Sequence, residues 1–450
     1  MFSSRQSQRQ APIRGARCAP LFLAALALTA LSACESPTDP EAVDSAVEPA
    51  AAAATVAPTL VPVPSGLTGC QAPVEYETGD PDHPTAFYQI CWPAAWNGSF
   101  IVYAHGYTFA GLDLSIPEEA ATLAPFVMQQ GFGFASTSYR VNGLAIKEGV
   151  GDMVILADKV RYEARAPVPV LIAGASEGGA VTTLAAERYP GVFQGALSTC
   201  GPTGNFQKQL DYFGDFNVVF NYFFPRVFAG KVTPEGVDES VMLGWEDVYM
   251  PAARDAVLGN PVSARKLVKV AGVAVASDDP ADLWNAIERI LWYNVFATND
   301  AIDKLGGQPF DNTRRWYSGS GQDFRLNWRV QRISADPGAR AAVAADYQTS
   351  GDLAMPYVSL HTTGDEVVQF VQQPWYRLKA LLSGASAEHS ALPIFRYGHC
   401  NFQEGDMAVG LALLMLKVGA ASSPSLATAM PTPTARATFQ DLAKEMQPRR

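Results

Sequence analysis

Histidine is scarce in this 450-residue chain, five in all, so chemistry that needs an imidazole has few places to sit. Basic charge is also short: 33 lysines and arginines face 44 acidic residues, a net charge of −11, with no basic stripe. That argues against nucleic acid as a partner, because phosphate recognition needs concentrated positive charge. There is no H-E-x-x-H, no C-x-x-C and no P-loop lysine pattern. Zinc and nucleotide chemistry therefore have no support, and no cofactor is expected. No internal repeat marks a solenoid or propeller. The longest early apolar run, Ala19 to Ala33, is too short to span a bilayer comfortably.

That run does suit the apolar part of a signal peptide, since Arg5, Arg9, Arg14 and Arg17 precede it. It ends in LSAC, whose cysteine, Cys34, resembles the lipidated first residue of a bacterial lipoprotein. An ordinary signal peptide or a retained anchor is the alternative. Residues 35–66 carry six prolines and an alanine tract, and read as a tether without a core. These features predict export, with the membrane reached through a lipid on Cys34, in a periplasmic or cell-surface setting. Of the six cysteines, Cys70, Cys91, Cys200 and Cys400 remain in the mature domain. Four cysteines in an oxidising compartment allow three disulfide connectivities.

The remainder is globular in composition, 48% apolar and 17% charged. Short apolar runs at 99–105, 132–140, 168–174 and 193–201 alternate with helical patterns at 117–131, 146–165 and 178–189. This βαβα rhythm predicts an α/β fold, a mostly parallel central sheet with helices on both faces. The rhythm stops at 203–352, a helical stretch rich in aromatics such as Tyr212, Phe216, Trp245, Trp284 and Trp292. It resumes with strands at 355–365 and 393–400 and helices at 371–383 and 404–418. The expected organisation is a leader at 1–33, a tether at 34–66 and a core at 67–202. A helical lid insertion at 203–352, core again at 353–420 and a flexible tail at 421–450 complete it, with one further helix possible at 435–446.

One motif joins these pieces. Gly174-Ala175-Ser176-Glu177-Gly178 matches G-x-S-x-G and lies between a buried strand and a helix. There the glycines relieve crowding around a serine held in an unfavourable backbone geometry. At this point the chain resembles the α/β-hydrolase family, whose members carry nucleophile, acid and histidine in that chain order. The resemblance implies the α/β-hydrolase fold and assigns Ser176 as nucleophile, Asp365, just past a late strand, as acid, and His399, past the last strand, as base. Glu366, adjacent to Asp365, is the competing acid. His83, His361 and His389 read as a turn, a strand and a loop residue. The resemblance also implies oxyanion donors at the backbone N–H groups of Glu177 and Tyr107, with His105 bracing the latter loop. On such a sheet Cys200 ends the strand after the nucleophile strand, close to Cys400. This favours the pairs Cys70–Cys91 and Cys200–Cys400.

The expected function is hydrolysis of a small-molecule or polymer carboxylic ester through an acyl-enzyme intermediate. A serine peptidase of prolyl or aminopeptidase type is the runner-up, although too few residues precede the core for a propeller gate. A non-catalytic binding lipoprotein is the third reading. The side chain of Glu177 is left open between facing solvent and selecting a cationic group.

Overall fold

Strands buried on both faces read as unbroken apolar runs, and those covered on one face alternate. Both kinds occur in the computed structural model, which describes residues 68–445. Strands β1 (Gly69–Cys70), β2 (Val74–Glu77) and β3 (Thr85–Trp92) come first. They are followed by β4 (Phe100–Ala104), β5 (Gly133–Thr137), β6 (Val170–Ala175) and β7 (Gly195–Thr199). A two-residue hairpin, β8 (Val232–Thr233) and β9 (Gly236–Val237), stands apart from the main sheet. Strands β10 (Tyr357–Gly364) and β11 (His389–Tyr397) complete it.

Nine strands form one sheet in the order β1-β3-β5-β4-β6-β7-β10-β11, with β2 paired to β3. From β5 to β11 every pairing is parallel, and β3 joins β5 antiparallel. Strands β4, β5 and β7 are buried at every residue, as crossover helices on both faces require. On one face, helices Ile146–Ala164 and Glu177–Arg188 pack with Tyr357 and Tyr376. On the other, helices Glu118–Gln129, Glu404–Lys417 and Pro433–Glu445 pack around Leu360, Leu411 and Phe439. This is the fold of an α/β hydrolase. Among the described residues no helix is long and apolar enough to cross a membrane.

Three differences from the sequence expectation stand out. Strands β1 to β3 were not foreseen, although Thr85–Trp92 alternates buried and part-buried positions along its first half. His389 opens β11 rather than lying in a loop. Residues 421–445, in the stretch expected to be a flexible tail with one further helix possible at 435–446, hold two helices, Ser423–Thr428 and Pro433–Glu445. Composition misled there: Ala435, Phe439 and Ala443 recur at helical spacing and are buried in the core. The leader, Cys34 and the 34–66 tether lie outside the described residues.

Between β7 and β10 the chain leaves the sheet and folds around its own core, including Phe216, Phe220, Trp245, Leu267 and Ile287. Its two longest helices, Phe206–Phe223 and Pro280–Phe296, come back against the carboxyl ends of the strands.

Candidate active site

A parallel strand that turns at once into a helix leaves its bend residue little conformational choice. Ser176 occupies that bend between β6 and helix Glu177–Arg188 with φ 55° and ψ −122°. A non-glycine residue in this region is strained, and the surroundings must hold it there. They do so by close approach: a Cβ on Gly174 would stand 2.2 Å from the Gly178 carbonyl oxygen. One on Gly178 would stand 2.0 Å from that of Ala104. The glycines of the motif thus let strand and helix meet, and the helix aims its positive end at the site.

β10 and β11 deliver the other two groups. His399 Nε2 lies 2.8 Å from Ser176 Oγ. Its Nδ1 lies 2.8 and 3.0 Å from the two carboxylate oxygens of Asp365. Asp365 is buried and also accepts the backbone N–H groups of Val367 at 2.9 Å and Val368 at 2.8 Å. The ring of His361 adds a contact of 3.3 Å to Asp365 while bonding the Val368 carbonyl at 2.8 Å. Burial opposes the charge of Asp365, but the facing rings of His399 and His361 outweigh it and hold its pKa down to about 2. The neighbouring Glu366 takes a different part: its buried carboxylate meets Arg289 of helix Pro280–Phe296 at 2.7 Å. His83 lies in the turn before β3.

The loop that bears the histidine is fixed covalently. Cys200, just past β7, is bonded to Cys400, and both residues have positive φ. Cys70 is bonded to Cys91 across the antiparallel β1–β3 pair.

The loop after β4 passes directly against Ser176, since a Cβ on Gly106 would stand 3.5 Å from that of Ser176. Gly106 donates its N–H to Glu119 at 2.9 Å. The N–H groups of Tyr107 and Glu177 donate to no other group among the described residues. His105 is buried, stacks on Tyr139 at 3.9 Å between ring centroids, and bonds the Gly106 carbonyl at 2.7 Å. Burial lowers its pKa and keeps the ring neutral.

Above Ser176 lies a cavity of about 120 Å³, walled by Tyr107, Leu144, Phe206, Phe213, Tyr293 and Phe310, among others. The Glu177 side chain lines it rather than facing solvent, with 7% of its surface exposed. One carboxylate oxygen accepts the N–H of Ala145 at 2.5 Å. Burial pushes the carboxyl pKa up to about 8. Sequence reasoning missed His361, Arg289, and the cavity residues Gln209 and Asn294. Only His361 carried a local signal, standing four residues before Asp365 on a strand end.

No protein-family model matches the chain, and no curated protein does. Solved structures do. An acylaminoacyl peptidase from Pyrococcus horikoshii superposes with TM-score 0.38 at 12% identity, over 74% of this chain. The chain spans only 38% of that peptidase's length. Feruloyl esterase B from Aspergillus oryzae gives TM-score 0.44 at 14% identity, with 73% of each chain covered. A thermostable carboxyl esterase from Bacillus coagulans gives 0.39 at 11% identity, over 78% of this chain and 98% of its own. Likenesses this distant carry nothing about substrate.

Proposed function

We propose that the chain is a serine hydrolase that transfers the acyl group of a carboxylic ester to water through Ser176. The observation that carries this reading is the continuous hydrogen-bond path from Ser176 through His399 to Asp365. A serine hydroxyl becomes nucleophilic only when a base removes its proton, and His399 Nε2 is within reach to do so. As Ser176 Oγ attacks the carbonyl carbon, the proton passes to His399 and the imidazolium is stabilised by Asp365. The developing oxyanion is met by the N–H groups of Tyr107 and Glu177. Collapse returns the proton to the departing alcohol, and a water activated by the same histidine then releases the acid.

The cavity sets the size of what is bound. An apolar cavity of about 150 Å³ holds a benzene ring, so about 120 Å³ favours one ring or a short branched chain. We further propose that Cys34 carries the lipid that tethers the enzyme outside the cytoplasm, a setting in which two disulfides are expected.

The test is labelling with a fluorophosphonate probe, followed by ester turnover. Wild type should label and hydrolyse short-chain esters. Ser176→Ala should not label and should lose roughly 10⁴-fold or more in kcat. Labelling that survives in Ser176→Ala overturns the reading.

A further inference from the structure

Buried acceptors rarely go unanswered in a folded protein. Three residues lining the cavity beside Ser176 nevertheless each keep an unpartnered oxygen among the described residues: Glu177, Gln209 and Asn294. They are 7%, 4% and 3% exposed. In each, the other end of the side chain is already engaged. The Gln209 amide donates to the Val367 carbonyl at 2.8 Å, and that of Asn294 donates to the Phe213 carbonyl at 3.0 Å. Those donor bonds fix which way the amides point and leave their oxygens free. Gln308, on the same wall, is satisfied at both ends. The buried unpartnered atoms of the wall are therefore two amide oxygens and one carboxyl oxygen, the last an acceptor once the carboxyl gives up its proton.

We propose that the cavity receives the primary ammonium group of an aminoacyl substrate. Glu177 is its charge partner, and Gln209 and Asn294 accept further N–H bonds. The proposal rests on the hydrolase reading above and names its substrate class. An ammonium brings three N–H donors and the positive charge that a buried carboxylate lacks, whereas a hydroxyl brings one donor and no charge. Lys304, the basic group whose charge Glu177 feels, is already paired with Asp300 at 3.0 Å. Glu148 adds only repulsion. The upward shift of the Glu177 pKa is what a carboxyl without a bonded cation should show. Because Glu177 directly follows the nucleophile, an amine held there belongs to the acyl side, close to the scissile carbonyl.

Four ethyl esters sharing one carbon skeleton test this: L-leucine ethyl ester, its 2-hydroxy analogue, its N-acetyl derivative and ethyl 4-methylpentanoate. Wild type should favour the free amine over ethyl 4-methylpentanoate by about ten- to a hundredfold in kcat/KM, mostly through KM. In Glu177→Gln that ratio should fall to near unity, and Glu177→Asp should restore part of it. Each ratio is taken within one variant, so general losses of activity cancel. Equal turnover of all four esters by wild type overturns the proposal and leaves the hydrolase reading intact. Preference for the 2-hydroxy ester over the amine, or a ratio unchanged in Glu177→Gln, also overturns it. The wild-type ratio decides the matter even if the variant does not fold. Failure of all four esters together with absent Ser176-dependent labelling strikes the hydrolase reading itself.

Discussion

Two buried carboxyl groups stand within reach of one serine, and the protein treats them in opposite ways. Asp365, at the end of β10, is surrounded by two backbone N–H groups and two imidazole rings and is held charged. Glu177, on the cavity wall, has a single backbone bond and is driven toward its neutral form. The sheet end is complete as it stands, while the cavity wall is short of donors. Stabilising a transient charge on His399 requires a permanent anion in place beforehand. Recognition instead favours a group that becomes satisfied only when its ligand arrives, since its desolvation then counts toward selectivity.

The contrast can be broken most severely at its satisfied end. Asp365→Asn keeps the shape and loses the anion, so kcat should fall on the order of 10⁴-fold with KM little changed. The same variant alters acid stability. The folded pKa of Asp365 lies below the ordinary carboxylate value, so its contribution is present above about pH 4 and is lost as pH falls toward 2. Acid titration of the variant by circular dichroism should show that part of the transition missing.

Cutting the Cys200–Cys400 bond tests whether the sheet end owes its order to that bridge. The double change Cys200→Ser with Cys400→Ser should cost about 2–5 kcal/mol in chemical denaturation and lower kcat. Removal of Cys70–Cys91, at the sheet edge, should cost stability and leave kcat unchanged. Equal effects on kcat would show that the bridge does not position His399.

The smallest effect is expected at the unsatisfied end, and its sign is opposite. The folded pKa of Glu177, about 8, lies above the ordinary carboxylate value. Folding therefore takes up a proton between about pH 4 and 8, and stability declines as pH rises through that window. Glu177→Gln removes this decline. It should stabilise the protein by about 1–3 kcal/mol at about pH 8.5 and little at about pH 4.5, read from melting curves. A cavity residue whose loss stabilises the fold is what a site kept for binding predicts.

The two ends were not equally legible in the sequence. Ser176, Asp365 and His399 could be read because each sits where a strand stops, and strand ends leave local marks: apolar runs, glycines and a fixed chain order. Gln209 and Asn294 left none. They lie on helices joined to the site only by tertiary packing, and nothing local separates a polar residue on a cavity wall from one facing solvent. The orientation of Glu177 was hidden for the same reason, since the N–H of Ala145 that donates to it is 32 residues away in the chain. The short helix Ser423–Thr428 was obscured by a composition that usually marks loose chain.

Gln209 also has a double attachment. Gln209 lines the cavity, its amide holds the Val367 carbonyl, and the N–H of Val367 holds Asp365. The helix that carries Gln209 is tied to the same loop again through Tyr212, whose hydroxyl bonds the Glu366 carbonyl at 2.6 Å. The cavity wall and the loop holding Asp365 are thus tied together at two points, through Gln209 and through Tyr212.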